Sequence, residues 1–271
     1  MDEMIIRTLQ LKLAAAGFDP GVANGELDAA TGARIDDYLA QRSLDTPREW
    51  RRWAHERHAV LCLQIFCRDA GLEVGDLDGW WGPQTEFAGG QLAYLVEYGQ
   101  LPHPWRDDQP LAVNPHHWPQ EHPAELNACY GLAGANLVTT SLPYALRLSW
   151  EPSTVVGKTS CNAKVRDSLL TVLENVLAHY GADGIRELRL DLYGGGFNQR
   201  KKRGGSQMST HAWGIAFDFD PDHNKLEWGR EHAAFARAEY DAWWHFWEDE
   251  GWAGLGRVKN YDWMHVQAAK P

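Results

Sequence analysis

Two short stretches hold the residues whose types and spacing could do chemistry. Ser206-Gln-Met-Ser-Thr-His-Ala-Trp-Gly-Ile-Ala-Phe-Asp-Phe-Asp220 carries His211 and, seven residues on, Asp218, while Tyr261-Asp-Trp-Met-His-Val-Gln267 carries Asp262 and His265. Two imidazoles and one carboxylate suit a catalytic Zn²⁺, which takes three protein ligands and keeps a fourth position for water. The remaining carboxylate, Asp262, could then serve as general base toward that water. Spacing alone leaves a second reading open, in which His211 caps a loop, Asp218 is a surface carboxylate and His265 is a core histidine.

The elements around these residues must hold them rigidly. Ile215-Ala-Phe-Asp-Phe219 reads as a short apolar strand entered through Gly214, and Val258 to Gln267 as a second strand with Asp262 and His265 near its middle. Upstream, Val165 to Tyr180 has the apolar spacing of a helix, with Leu169, Val172, Leu173, Val176 and Leu177 on one face and Gly181 closing it. Ile185 to Tyr193 alternates apolar and polar residues, predicting a half-buried strand that leads into Gly194-Gly-Gly196, where backbone can approach a substrate or a neighbouring strand. Ser141 to Trp150 predicts another strand. His232 to Trp252 predicts a helix whose Trp243, Trp244 and Trp247 pack on the sheet, and Gly251 to Gly256 turns the chain into the last strand.

The pattern Ser209-x-His211-x-x-Gly214-x-Ala216-x-Asp218, followed by Asp262-x-Trp-Met-His265, resembles the zinc peptidases of the D-Ala-D-Ala carboxypeptidase (VanY-like) and L-alanyl-D-glutamate endopeptidase family. The resemblance covers residues 140 to 271. It implies an α+β domain on an antiparallel sheet, zinc held by His211, Asp218 and His265, and Asp262 as catalytic base. The base in that family is commonly Glu, so the shorter Asp262 is a departure. The family's upstream arginine, which binds a carboxylate of the peptide substrate, falls on Arg200 in Gly194-Gly-Gly-Phe-Asn-Gln-Arg200, with Arg203 the second choice; Ser209 and Gln267 are further candidate substrate contacts.

The N-terminal part reads as helices over residues 3 to 16, 31 to 41 and 57 to 70. Leu9-Gln10, Gly17, Gly25 and Thr31 recur as Leu63-Gln64, Gly71, Gly79 and Thr85, all at an offset of 54 without a gap. Agreement of that kind at turn glycines marks an internal repeat. The second copy, with Asp78-Gly79-Trp-Trp-Gly82-Pro83-Gln-Thr85, resembles the small three-helix peptidoglycan-binding domain. The resemblance implies wall contact through Asp78, Gly79, Trp80, Trp81 and Thr85. The first copy departs from the signature at Asn24, Asp28 and Ala29, and a plain helical bundle whose glycines only make turns is the other reading.

The expected organisation is repeat 1 over 1–50, repeat 2 over 51–100, a Pro-rich linker over 101–124 and an α+β zinc peptidase domain over 125–271. This segment, a linker or a draped surface stretch, holds six of the thirteen prolines and four histidines, which read as solvated rather than as metal ligands. A net charge of −11 argues against nucleic acid as partner, and Arg200-Lys-Lys-Arg203 reads better as a peptide-carboxylate clamp than as a nucleic-acid patch. Asp218-x-Asp220-x-Asp222 starts like a calcium loop but fails at His223 and Gly229. No apolar run approaches a membrane span, and the acidic N-terminus lacks the features of a secretory signal. Cys62, Cys67, Cys129 and Cys161 read as free thiols of a reducing compartment, with a Cys129–Cys161 disulfide left open.

Together these readings predict a monomeric zinc peptidase acting on peptidoglycan stem peptides, made in the cytoplasm and released to the wall in the manner of a phage endolysin. A non-catalytic wall-binding protein and a D-Ala-D-Ala carboxypeptidase are the alternatives.

Overall fold

The computed structural model describes residues 1–102 and 113–271. The part of the expected linker between them, His103 included, lies outside the described residues. The chain divides into two compact units, Met1–Pro104 with Lys201–Gln207, and Trp105–Arg200 with Met208–Pro271.

The first unit contains four helices, α1 (Glu3–Ala15), α2 (Ala29–Gln41), α3 (His55–Asp69) and α4 (Pro83–Tyr98). Their ends follow from local sequence. The carboxylates of Asp2 and Asp28 accept from the backbone N–H groups of Ile5 and Thr31, each at 2.8 Å, satisfying donors that a helix start leaves open. Pro83 opens α4, and Gly99 closes it in the left-handed region at φ 73. Ile5 and Leu9 of α1, Ile35 and Leu39 of α2, Leu61 and Leu63 of α3 and Leu92 of α4 are buried in one cluster. Each such side chain contributes about 1.5–3 kcal/mol by leaving water, and because the cluster draws on both copies of the repeat, neither copy has a core of its own.

The repeat is visible in the polar interior as well. Gln10 Nε2 lies 3.0 Å from each of Asn24 Oδ1, Glu26 O and Thr31 Oγ1, while its Oε1 accepts from Gly25 N at 2.9 Å. Gln64 does the same with Asp78 Oδ1, Trp80 O and Thr85 Oγ1 at 3.1, 3.3 and 3.2 Å, and accepts from Gly79 N at 2.8 Å. Every partner is displaced by the same 54 residues. A buried primary amide that ties one helix to the following loop and to the start of the next helix explains the Leu-Gln, Gly and Thr positions in physical terms.

The second unit is α+β. Its elements are α5 (Pro123–Tyr130), β1 (Leu137–Leu148), β2 (Glu151–Asn162), α6 (Arg166–Glu187), β3 (Leu192–Gly195), β4 (Ala216–Phe219), α7 (Asp241–Asp249), β5 (Ala253–Gly254), α8 (Leu255–Lys259) and β6 (His265–Gln267). The strands form one sheet in the order β2-β1-β3-β4-β6-β5, antiparallel throughout except for the β1–β3 pair. Val172, Leu173 and Val176 of α6 and Trp243, Trp244 and Trp247 of α7 belong to its buried cluster.

Several local expectations are corrected. Gly181, at φ 65 and ψ 174, does interrupt the helix as expected, but a second helical stretch follows it within α6. The alternating segment from Ile185 begins as helix and becomes strand only at Leu192, because apolar residues at 185, 188, 190 and 192 fit a helix end and a turn as well as a strand. The expected helix over 232–252 is two 3-10 turns, Ala234–Ala236 and Ala238–Tyr240, before the shorter α7. Val258 and Lys259 belong to α8, so the last strand is confined to His265–Gln267. Of the two readings of the Pro-rich segment, residues 113–122 follow the draped one. Trp118 is buried and donates from Nε1 to Glu250 O at 3.0 Å, and His116 pairs with Glu250 at 2.6 Å. An apolar anchor of that size outweighs the extended preference of the flanking prolines. All four cysteines are free thiols, and no described helix is long and apolar enough to cross a membrane.

Candidate metal centre

Pairing of β4 with β6 places Asp218 opposite His265. Both side chains therefore leave the sheet on one face at closely spaced backbone positions. His211 arrives from a 3-10 turn, Thr210–Trp213, that Gly214 closes at φ 68. A side chain at Gly214 would strike Leu137 and the backbone of Cys161–Asn162, so glycine is required there for conformation and for space. The three residues come together as sequence predicts, with one donor atom from each lying within 4.8 Å of the others. His211 and His265 are 2 % and 5 % exposed, which rules out solvated surface histidines.

Which ring nitrogens face inward follows from what lies behind them. His211 Nδ1 is 2.7 Å from Gly196 O, a group that can only accept, so Nδ1 carries the proton and Nε2 presents a lone pair. The Gln267 amide nitrogen donates to Glu121 Oε2 at 3.0 Å and to Ala269 O at 3.2 Å, which turns Gln267 Oε1 toward His265. That oxygen accepts from His265 Nε2 at 3.0 Å, so Nδ1 of His265 faces inward. His211 Nε2 lies 3.2 Å from Asp218 Oδ1 and 3.3 Å from His265 Nδ1, and His265 Nδ1 lies 2.9 Å from the same Asp218 oxygen.

Three lone-pair donors thus converge with only acceptor character between them, and the arrangement calls for a cation. Ligand distances of about 2.0–2.1 Å imply tetrahedral edges of roughly 3.3 Å, close to two of the three separations. Without a metal a proton fills the role. Burial opposes charge on His265, but its hydrogen bond to Asp218 and the charges of Asp218 and Asp262 outweigh burial and lift it to about 9. Asp218 moves the other way: burial favours its neutral form, but the charge and hydrogen bond of His211 and those of His265 hold it well below the usual carboxylate range. The donor set could hold a metal ion, and an acceptor holding the outer nitrogen of each histidine is the usual outer support of a metal ligand.

Asp262 stands outside this three-donor group. It is not in mid-strand as predicted but in the turn before β6, at φ 54, with its N–H donating to Leu226 O at 2.9 Å and its carbonyl accepting from His265 N at 3.1 Å. Its charge is felt at His265. Arg200 is half-buried beside the histidine segment: Ser209 N donates to Arg200 O at 3.0 Å, and Asn198 N donates to His211 O at 3.1 Å. Arg203 is exposed and belongs to Lys201–Gln207, which is grouped with the first unit. Ser209 is buried at the start of the 3-10 turn.

Gln267, expected at the substrate, is instead 1 % exposed and committed to His265. Its role was readable in principle: in a strand, His265 and Gln267 two residues apart share a face. Two of the three glycines before the motif are pressed by neighbouring protein. A Cβ at Gly194 would press on Asp218, and one at Gly196, whose carbonyl receives His211, would press on Tyr193 and Phe217. Asp220 is fully buried and held by Arg189 through two bonds of 2.9 and 2.8 Å, so its carboxylate belongs to an ion pair and not to a cation loop.

Of the candidate wall contacts, Asp78, Gly79 and Thr85 turn inward around Gln64. Gly79 takes φ 67, and Asp78 Oδ2 also accepts from Ser206 N at 2.7 Å. Trp81 packs partly against the helical core, whereas Trp80 is 49 % exposed, its ring 4.4 Å from the Arg57 guanidinium that also lies 3.5 Å over Trp53. No family model, curated protein or solved structure matches this chain.

Proposed function

We propose that this chain is a zinc-dependent peptidase of bacterial peptidoglycan, with an α+β catalytic unit of the VanY-like and L-alanyl-D-glutamate endopeptidase type joined to wall-binding repeats. The observation that carries the reading is the convergence of His211, Asp218 and His265 donor atoms within 4.8 Å, with a fourth ionisable group, Asp262, acting on His265. When bound, zinc supplies Lewis acidity toward the scissile carbonyl and makes water a competent nucleophile near neutral pH. Asp262 removes a proton from the attacking water and returns it to the leaving amine as the peptide C–N bond breaks, so that one carboxylate and one amine form. Arg200 holds a carboxylate of the stem peptide, a task suited to its planar fork of donors. Trp80, with Trp53 and Arg57 beside it, offers an aromatic face to wall sugar or peptide.

The test is digestion of purified peptidoglycan by the zinc-loaded chain and by Asp262→Ala, with released fragments weighed by mass spectrometry. Cleavage of an internal stem-peptide bond that vanishes in the variant is expected. Release of terminal D-Ala alone would make the protein a carboxypeptidase, and wall binding without cleavage would overturn the enzymatic reading.

A further inference from the structure

The first unit contains a second convergence of the same donor types. Asp36 on α2 faces His55 and His58, which lie three residues apart at the start of α3, and one donor atom from each falls within 4.8 Å of the others. His58 is 5 % exposed. Its Nε2 lies 2.8 Å from the backbone carbonyl of Trp50, which only accepts, so Nε2 carries a proton and Nδ1 is left to face Asp36 Oδ1 at 2.7 Å. His55, its side chain 79 % exposed, brings Nδ1 to 3.9 Å from the other Asp36 oxygen, Oδ2. A buried imidazole fixed from behind by a carbonyl, aimed at a carboxylate and joined by a second imidazole from the same helix face, has the donor set and outer support of a metal site.

The repeat sharpens the point. Fifty-four residues from His55, His58 and Asp36 stand Met1, Met4 and Gly90, so the repeated architecture needs none of these three side chains at the corresponding positions.

We infer that Asp36, His55 and His58 form a second zinc site, separate from the His211–Asp218–His265 centre and independent of the function proposed for it. The ion clips α2 to the start of α3. Its remaining position faces solvent on the His55 side. Entry of the ion widens the 2.7 Å His58–Asp36 contact toward the roughly 3.3 Å edge of a tetrahedral zinc site. The exposed His55 ring moves in by rotation about its side-chain bonds.

Metal-stripped full-length protein is dialysed against Zn²⁺ and its bound zinc counted, for the parent, His55→Ala, His211→Ala and the double variant. The expected counts are two, one, one and none per chain. Because His55 is exposed, its replacement leaves the fold intact, and a thermal melt of each variant checks this. One zinc in the parent that persists in His55→Ala overturns the inference, as does a parent with two that keeps both in His55→Ala. One zinc lost on His55→Ala but retained in His211→Ala would support this site while removing the metal from the proposed catalytic centre.

Discussion

At the scale of the residue, the proposed function assigns some groups of the candidate metal centre to binding and Asp262 to reaction. Asp262 reaches its position through a left-handed backbone conformation that asparagine also tolerates. Asp262→Asn should therefore keep the turn, the zinc content and the fold while lowering peptide hydrolysis by about 10²–10⁴-fold, the range for loss of a general base. Metal analysis beside kcat on a stem-peptide substrate checks this; loss of zinc along with activity would place Asp262 among the ligands instead. Gln267 makes the converse prediction. Its Oε1 is the acceptor that holds His265 Nε2–H, so Gln267→Ala frees the ring to rotate or change tautomer. Zinc affinity, measured by chelator competition, should fall by about 10–100-fold, as for other groups that orient a ligand from behind, and the zinc-free protein should melt lower as well, because the buried amide also serves Thr210 and Ala269. An unchanged affinity would mean that packing alone orients His265.

At the scale of the element, equivalent helices and loops are built around equivalent buried amides. Gln64→Ala removes contacts to Asp78, Trp80 and Thr85 and leaves the Gly79 N–H without its acceptor. Stranding a buried donor costs about 1–3 kcal/mol, so the first unit should lose about 3 kcal/mol in denaturant unfolding. Gln10→Ala should lose a similar amount through Asn24, Glu26, Thr31 and Gly25. A much smaller loss at Gln10 would mean that the first copy's loop is held by its apolar residues.

The same elements mark what the sequence made legible. The offset of 54, three of the four long helices of the first unit and the grouping of His211, Asp218 and His265 were readable because glycine turns, amphipathic spacing and ligand type are local properties. The lengths of β3 and β6 and the turn at Asp262 were not, since a run of alternating apolar residues suits a helix end, a turn or a strand until a neighbouring strand selects one. The Asp36–His55–His58 cluster is not legible in the sequence for a related reason. His55-x-x-His58 is a visible helical pair, but Asp36 joins it only through the packing of α2 on α3.

At the scale of the molecule, an acidic chain with net charge −11 balances self-repulsion against a few arginines that gather carboxylates. In the first unit Arg42 bonds Asp45 at 2.6 Å and Asp69 at 2.7 Å, and Arg68 bonds the same two residues at 2.8 and 2.9 Å, tying the end of α2 to the end of α3. The Arg68 and Arg42 hydrogen bonds hold Asp45 below its ordinary value of 3.8. Burial pushes Asp69 upward, but the bonds and charges of Arg42 and Arg68 outweigh it, so Asp69 is also held below 3.8. A carboxylate whose folded pKa lies below its unfolded value stabilises the fold above the unfolded value, and that contribution disappears as pH falls through the folded pKa. The first unit should therefore keep its full stability above about pH 4 and lose it progressively in more acidic solution. Asp45→Asn with Asp69→Asn should lower the melting temperature near neutral pH, where the ion pairs are present, and flatten its decline under acid. Thermal melts of the parent and the double variant from neutral pH downward measure both effects. If the double variant declined as steeply as the parent, the acid sensitivity would lie in other carboxylates, and the Arg42–Arg68 network would be a surface arrangement with no hold on the packing of α2 against α3.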